Sequence, residues 1–279
     1  MLAMLAFSDA AMNAARTAAS CFAEGVLPAL LPMMVLGKIW PEDTKHEHSK
    51  MALWLRTGVY AFSAGSPAAA QRTAALRGMM PARSWECLLC LTGVMSPMFF
   101  TGTLGGWLES ARDGRVLLGI HWLGAVITAG LWRMLPCKTG VSIPLPARTA
   151  APKISLPQAI AQSAQALLGV CGAMMVFSAA AGLVKGLLSC IFPVWTAQHA
   201  EWLAVLWAVM EAGGGSSAVI GAWQKPHALV SALCGFGGLS IWLQNLLFLE
   251  NGIRPAKLLA MRALHGAVCY ALVGILNPF

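Results

Sequence analysis

The chain has 279 residues, of which 58% are hydrophobic and 11% charged, with a formal net charge of +8. An ordinary soluble domain carries roughly 25% charged residues, so a water-facing globule is excluded and an integral membrane bundle is implied. The basic residues sit between apolar runs rather than along one face, which reads as a topology signal and argues against a nucleic-acid partner.

In chain order, the opening MLAMLAFSDAAMNAARTAASCFAEG lacks the basic-then-apolar order of a signal peptide, because Asp9, Asn13 and Arg16 interrupt it. A first helix is expected over 3–22, lying partly in the interface or packed on the bundle. Further helices are expected near 26–40, 50–64, 68–79, 84–109, 115–134, 157–188, 200–223, 228–249 and 255–276. Strand signals are absent, since the apolar runs are long and lack period-two alternation. No Asp, Glu, Lys or Arg occurs in 87–108, 116–132, 154–184, 226–249 or 263–279, and a span needs about 20 apolar residues. The fold class that follows is an all-α polytopic bundle.

Two polar segments interrupt the pattern. Loop PEDTKHEHSK, 41–50, places His46, Glu47 and His48 side by side, which reads as a solvated loop rather than a metal site. Stretch 133–153 holds Arg133, Lys138, Arg148 and Lys153 with no acid and many prolines, and reads as a cytoplasmic linker. It divides the chain into a first repeat over 1–135, a linker over 136–156 and a second repeat over 157–279. The eight cysteines are scattered through apolar sequence, and Cys87-x-x-Cys90 has no second pair at metal spacing, so they read as small buried thiols.

The two halves carry related punctuation. LLGIHWLGAVITAGL, starting at 117, lies over LLAMRALHGAVCYAL, starting at 258, a displacement of 141 residues that pairs His121 with Arg262. The same displacement lays TGVMSPMFF over LCGFGGLSI, so a Gly/Ser/Pro interruption recurs in both halves. A further pair, FSAGSPAAA at 62–70 and MEAGGGSSA at 210–218, precedes each interruption. Inverted repeats with broken helices are therefore expected.

A broken helix inside a bilayer leaves backbone N–H and C=O groups that hydrocarbon cannot satisfy. Half-helix N-termini then offer donors to an anion, and C-terminal ends offer carbonyls to a cation. Gly93, Ser96 and Pro97 in the first half, with Gly237, Gly238 and Ser240 in the second, are the candidate turns. Gln244 falls one helical turn after Ser240, and Asn245 follows it. Glu211 is an isolated carboxylate between apolar runs, costly unless it faces water or a partner. Arg262, His265 and His121 are the other polar groups at depth; Arg262 either faces a solute or snorkels toward Arg254 and Lys257. Glycine and serine also serve close helix packing in membranes, which is the competing reading for each of these turns.

The segments EGVLPALLPMMVLGKIW (24–40), SAGSPAAAQ (63–71), SPMFFTGTLG (96–105), Glu211 before its glycines and GFGGLSIWLQ (235–244) resemble the YlbJ-type sporulation integral membrane proteins. These belong with the nucleoside-recognition, or Gate, domain proteins, which are similar in architecture to concentrative nucleoside transporters. The resemblance spans roughly 24–276. It implies transport of dipicolinic acid across the outer forespore membrane of a sporulating bacterium. The chain departs from the family pattern after the first break, where Gly65, Ser66 and Pro67 lead into Ala68, Ala69, Ala70 and Gln71, with the basic residue arriving at Arg72. For a planar aromatic dianion the half-helix ends, with His121 or Arg262, would hold the carboxylates, and Phe99, Phe236 and Trp242 would wall the ring.

The expectations are thus a carrier of a small anionic metabolite, an ion-coupled nucleoside carrier as the alternative of the same class, and a non-transporting membrane scaffold as the alternative of another class. No nucleophile–base pairing or metal-ligand spacing stands out, so no enzyme, metal or cofactor is expected beyond a coupling ion, Na+ or H+. The expected partners are the lipid bilayer, a small solute and, as a homo-oligomer, a second copy of the chain.

Overall fold

The computed structural model describes residues 6–39, 50–135, 154–249 and 253–279, so most of linker 136–156 and loop 41–50, with His46, Glu47 and His48, lie outside the described residues. Among the described residues the chain is helical, with no strand and a single isolated bridge between Arg77 and Met80. Five helices among the described residues are long and apolar enough to cross a bilayer: Ser8–Ile39, Ala111–Met134, Leu156–Ile191, His227–Leu249 and Pro255–Leu276. This is the composition and shape of an integral membrane protein.

The N-terminal segment differs from the expected pair of helices. Helix α1 (Ser8–Cys21) passes through a π-helical turn, Phe22–Val26, directly into α2 (Leu27–Ile39), so the run is continuous. The wider turn absorbs Glu24 and Gly25 without breaking the rod. Close packing on the bundle decides its position: a Cβ at Gly182 would stand 2.5 Å from the Ala10 carbonyl oxygen, so α1 lies backbone-to-backbone on α7 (Leu156–Ile191).

Beyond this rod, short paired helices, broken helices and long helices follow one another in chain order. In the first half, α3 (Lys50–Ala64) and α4 (Ala68–Ala75) are joined by a turn at Gly65–Pro67. Helix α5 (Ala82–Thr92) then stops, residues 93–96 leave the helical conformation, and helix resumes over 97–107 with a π-helical turn at Phe99–Leu104. Helix α6 (Ala111–Met134) completes the half. In the second half, α7 and the short α8 (Pro193–Gln198) lead to α9 (Ala200–Met210) and α10 (Ala212–Ala222), joined at Glu211. Then come α11 (His227–Phe236), a break at Gly237, α12 (Gly238–Leu249) and α13 (Pro255–Leu276). The segment expected as one helix over 200–223 is thus two, because Glu211 takes an extended backbone, φ −139° and ψ 116°.

Helices α9 and α10 fold back on each other. Trp223 Nε1 donates to the Glu201 carbonyl at 3.2 Å, joining the start of one to the end of the other. Gly215 presses against Ala208, where any Cβ would overlap backbone. Gly214 and Gly215 therefore serve close packing of this hairpin, and the break is made by Glu211 itself. Arg72 lies over the Tyr60 ring at 4.8 Å, closing the α3–α4 pair in the same manner.

Local capping explains where the long helices begin. Ser110 Oγ accepts from Asp113 N–H at 3.2 Å at the start of α6, with Arg133 in its last turn. Ser155 and Gln158 form a capping box at the start of α7, with Pro157 in the first turn.

Polar contacts at the two ends of α6 set the running directions. At its C-terminal end Trp132 Nε1 donates to Glu86 Oε2 at 3.1 Å, and Lys257 donates to Glu86 Oε1, so the starts of α5 and α13 lie there. At its N-terminal end Arg112 donates to the Pro278 carbonyl at 3.2 Å and Asp113 pairs with His227, so the end of α13 and the start of α11 lie there. Helices α6 and α13 are antiparallel, as are α5 and α11. The α3–α4 turn leads into α5 and the α9–α10 turn leads into α11, whose starts lie at opposite ends of α6.

Candidate functional site

Each hairpin tip seats on the broken helix of its own half. Gly65 has φ +71°, a left-handed conformation that suits glycine, and a Cβ there would fall onto the Ser96 backbone nitrogen. Ser66 N–H donates to the Val94 carbonyl at 2.6 Å, using one of the acceptors freed by the break at 93–96. In the second half Gly238, at φ +70°, lies where a Cβ would stand 3.0 Å from Ala212 N. The halves are then tied across: Ser66 Oγ hydrogen-bonds to Asn245 Oδ1 at 2.5 Å, both residues buried.

A cavity opens where these tips meet. Its walls include Ser66, Pro67, Met95, Ser96 and Phe99 from the first half and Glu211, Gly213, Ile241 and Gln244 from the second. The space open to the centre of a water-sized sphere is about 50 Å³, enough for on the order of three or four waters. The first rod and α7 complete the wall through Gly25, Val26, Ala29, Leu30, Val170 and Met174. Those six were not among the residues singled out in the sequence. The one local signal was Gly25 in an apolar run, where the π-helical turn presses on Thr103; a Cβ there would meet Thr103 Oγ1 at 3.0 Å.

Glu211 is the single charged side chain in that wall, and it is 2% exposed. Its two oxygens accept from Gly213 N–H at 2.6 Å and Gly214 N–H at 2.7 Å, so the carboxylate caps the helix that it starts. Ser96 Oγ likewise accepts from Phe99 N–H at 3.2 Å. Donors expected to greet an anion are thus occupied by the chain's own oxygens at both of these helix starts. Gln244 Nε2 and Ser240 Oγ are buried without a protein partner, leaving an amide donor and a hydroxyl beside the break. Of the other expected residues, Pro97 follows Ser96 at the start of the resumed helix, and Arg72 lies on α4 with its guanidinium on Tyr60. Trp242 is turned to the Pro255 carbonyl, 3.1 Å away, outside the cavity wall.

Arg262 belongs to a second polar cluster, outside the cavity wall. It is 3% exposed, so it does not snorkel to an interface. Its Nε donates to the Phe236 carbonyl at 3.0 Å. Glycines admit the guanidinium on both sides: a Cβ at Gly93 would overlap Nη1, and one at Gly237 would stand 2.5 Å from Nη2. Gly93 and Gly237 cap the C-terminal ends of α5 and α11, which arrive from opposite ends of the bundle. Two negative helix ends therefore converge on one cation, which accounts for a buried arginine with no carboxylate paired to it among the described residues. His121 Nε2 accepts from Met95 N–H at 3.0 Å, satisfying a donor freed by the first break, and His265 Nε2 bonds the His121 carbonyl at 3.0 Å.

The expected site residues thus form two adjoining groups. Ser66, Ser96, Glu211 and Gln244 line the cavity, with Asn245 bracing Ser66 and Ser240 and Gly238 close behind. Gly93, Gly237, His121, His265 and Arg262 form the core that holds the broken ends. No protein-family model matches the chain, and no curated protein or solved structure matches it.

Proposed function

We propose that the chain is a membrane carrier for a small polar solute, with its site at the cavity between the two hairpin tips. The observation that carries this is the meeting of four helix interruptions around one buried carboxylate, an arrangement costly in a bilayer unless it handles a ligand. Two inverted repeats explain the arrangement: the elements recur in one order, and α5 with α11 and α6 with α13 run oppositely. The hairpins are then re-entrant segments. An 11-residue helix such as α9 is about 16 Å long, half of a 30 Å hydrocarbon core.

The solute implied by the family resemblance is dipicolinate, carried across the outer forespore membrane. With Glu211 in the wall and no basic side chain beside it, a dianion must enter with a proton or a sodium ion, so transport is cation-coupled. The same lining favours a second reading, an ion-coupled nucleoside carrier. A carboxylate, an amide and two hydroxyls suit a neutral, hydroxyl-bearing solute without further compensation. Either solute exceeds the space of a few waters, so loading requires a hairpin to move.

Reconstituted vesicles given labelled dipicolinate or labelled uridine under an imposed Na+ or proton gradient test the proposal. Gradient-driven dipicolinate uptake that is lost in Glu211→Gln is expected. Uptake of uridine alone selects the second reading. No uptake of either, together with no reaction of Gln244→Cys toward a membrane-impermeant thiol reagent, would replace the carrier by a dry scaffold.

A further inference from the structure

His265 and Cys269 stand four residues apart on α13 and face His121 of α6, all three at most 1% exposed. One donor atom from each lies within 4.8 Å of the others. Two glycines make the room: a Cβ at Gly124 would stand 2.7 Å from Cys269 Sγ and 3.3 Å from the His265 ring, and one at Gly235 would stand 3.1 Å from the same sulfur.

The hydrogen bonds assign the ring protons. Because Met95 N–H donates to His121 Nε2, the His121 proton is on Nδ1. The His121 carbonyl can only accept, so His265 carries its proton on Nε2 and its lone pair on Nδ1. Neither Nδ1 has a partner. Two buried imidazoles, each with a ring nitrogen left without a partner, therefore share one place with a buried thiol, where unpaired polar groups are costly.

We propose that this cluster binds a soft monovalent metal ion, Cu(I), between His265 Nδ1 and the Cys269 sulfur, with His121 Nδ1–H donating to that sulfur. Thiolate and imidazole are ligands that suit Cu(I). Binding releases the Cys269 thiol proton to solvent, so Cu+ and S− cancel and no net charge is added to the interior. Arg262, one turn before His265, selects for that neutrality, since a divalent ion would leave an uncompensated positive charge beside a guanidinium. The site is independent of the carrier cavity and does not rest on the transport reading.

The test uses the purified full chain in detergent, without oxygen, with Cu(I) supplied as its bicinchoninate complex and Ag(I) as a redox-inert surrogate. One equivalent should be retained, with near-ultraviolet thiolate-to-metal absorption. That equivalent should disappear in Cys269→Ser and His265→Gln, and persist in Cys90→Ser and Cys234→Ser. His121→Phe, which removes the donor to sulfur together with the acceptor of Met95 N–H, should weaken retention about 10- to 100-fold. Helical circular dichroism confirms that each variant is folded. No retention by the parent, unchanged retention in Cys269→Ser, or displacement by equimolar Zn(II) would each overturn the assignment.

Discussion

Replacing Arg262 by alanine tests the account of the broken helices directly. The guanidinium gives one charge-assisted hydrogen bond to the Phe236 carbonyl and lies against the C-terminal ends of α5 and α11. Loss of the hydrogen bond leaves a carbonyl near the break without its donor, at about 1.5–3 kcal/mol. Each helix end loses a favourable charge worth about 0.3–1 kcal/mol. The sum is about 2–5 kcal/mol, which for a chain of this size lowers the unfolding midpoint by about 5–15 °C. Thermal unfolding in detergent, followed by circular dichroism, reads this directly. Arg262→Lys should recover part of the loss, because a point charge cannot serve two diverging helix ends as a planar fork does. Arg262→Met fills the space without the charge and should behave like alanine. A methionine variant as stable as the parent would refute the reasoning, since packing alone would then account for the residue. An alanine variant of parental stability with a raised KM for dipicolinate would instead return Arg262 to the solute.

Gly65→Ala should cost about 2–5 kcal/mol, combining left-handed backbone strain with overlap against Ser96; Gly119→Ala, with nothing within 4 Å of its Cβ position, should be neutral or stabilising by up to about 1 kcal/mol in the same unfolding assay. Glu211→Ala removes the cap from α10 and should destabilise by about 1–2 kcal/mol, whereas Glu211→Gln keeps an acceptor and should lose gradient-driven uptake with less loss of stability. A double-mutant cycle on Ser66→Ala and Asn245→Ala should give a coupling of about 0.5–1.5 kcal/mol if their contact ties the halves together; a coupling indistinguishable from zero would remove that tie. The linker over 133–153 should be cut by protease in inside-out vesicles, and cutting in right-side-out vesicles alone would reverse the orientation.

Composition and the spacing of charges were enough to determine an all-α membrane bundle, because the length of an apolar run against the bilayer is a local property. The interruptions at Gly65–Pro67, at Gly93–Pro97 and at Gly237 were legible for the same reason, since glycine, proline and serine alter the backbone where they stand. At Glu211 the local signal misled: one helix was expected over 200–223, yet the carboxylate breaks it by capping the next, and Gly214 and Gly215 let α10 lie against α9. The stretch over 3–22 was expected to lie partly in the interface or packed on the bundle, and it packs on α7; that Gly25 and Val26, just beyond it, wall the cavity was not legible, because a π-helical turn carries no hydropathy signature. Arg262 shows the limit most clearly. Its depth in the chain was evident, and a solute carboxylate was the natural partner to assign it. Tertiary structure instead brings it the ends of two helices from opposite sides, and nothing in the sequence reveals which carbonyls will converge on a cation, because that depends on the relative direction of segments more than a hundred residues apart.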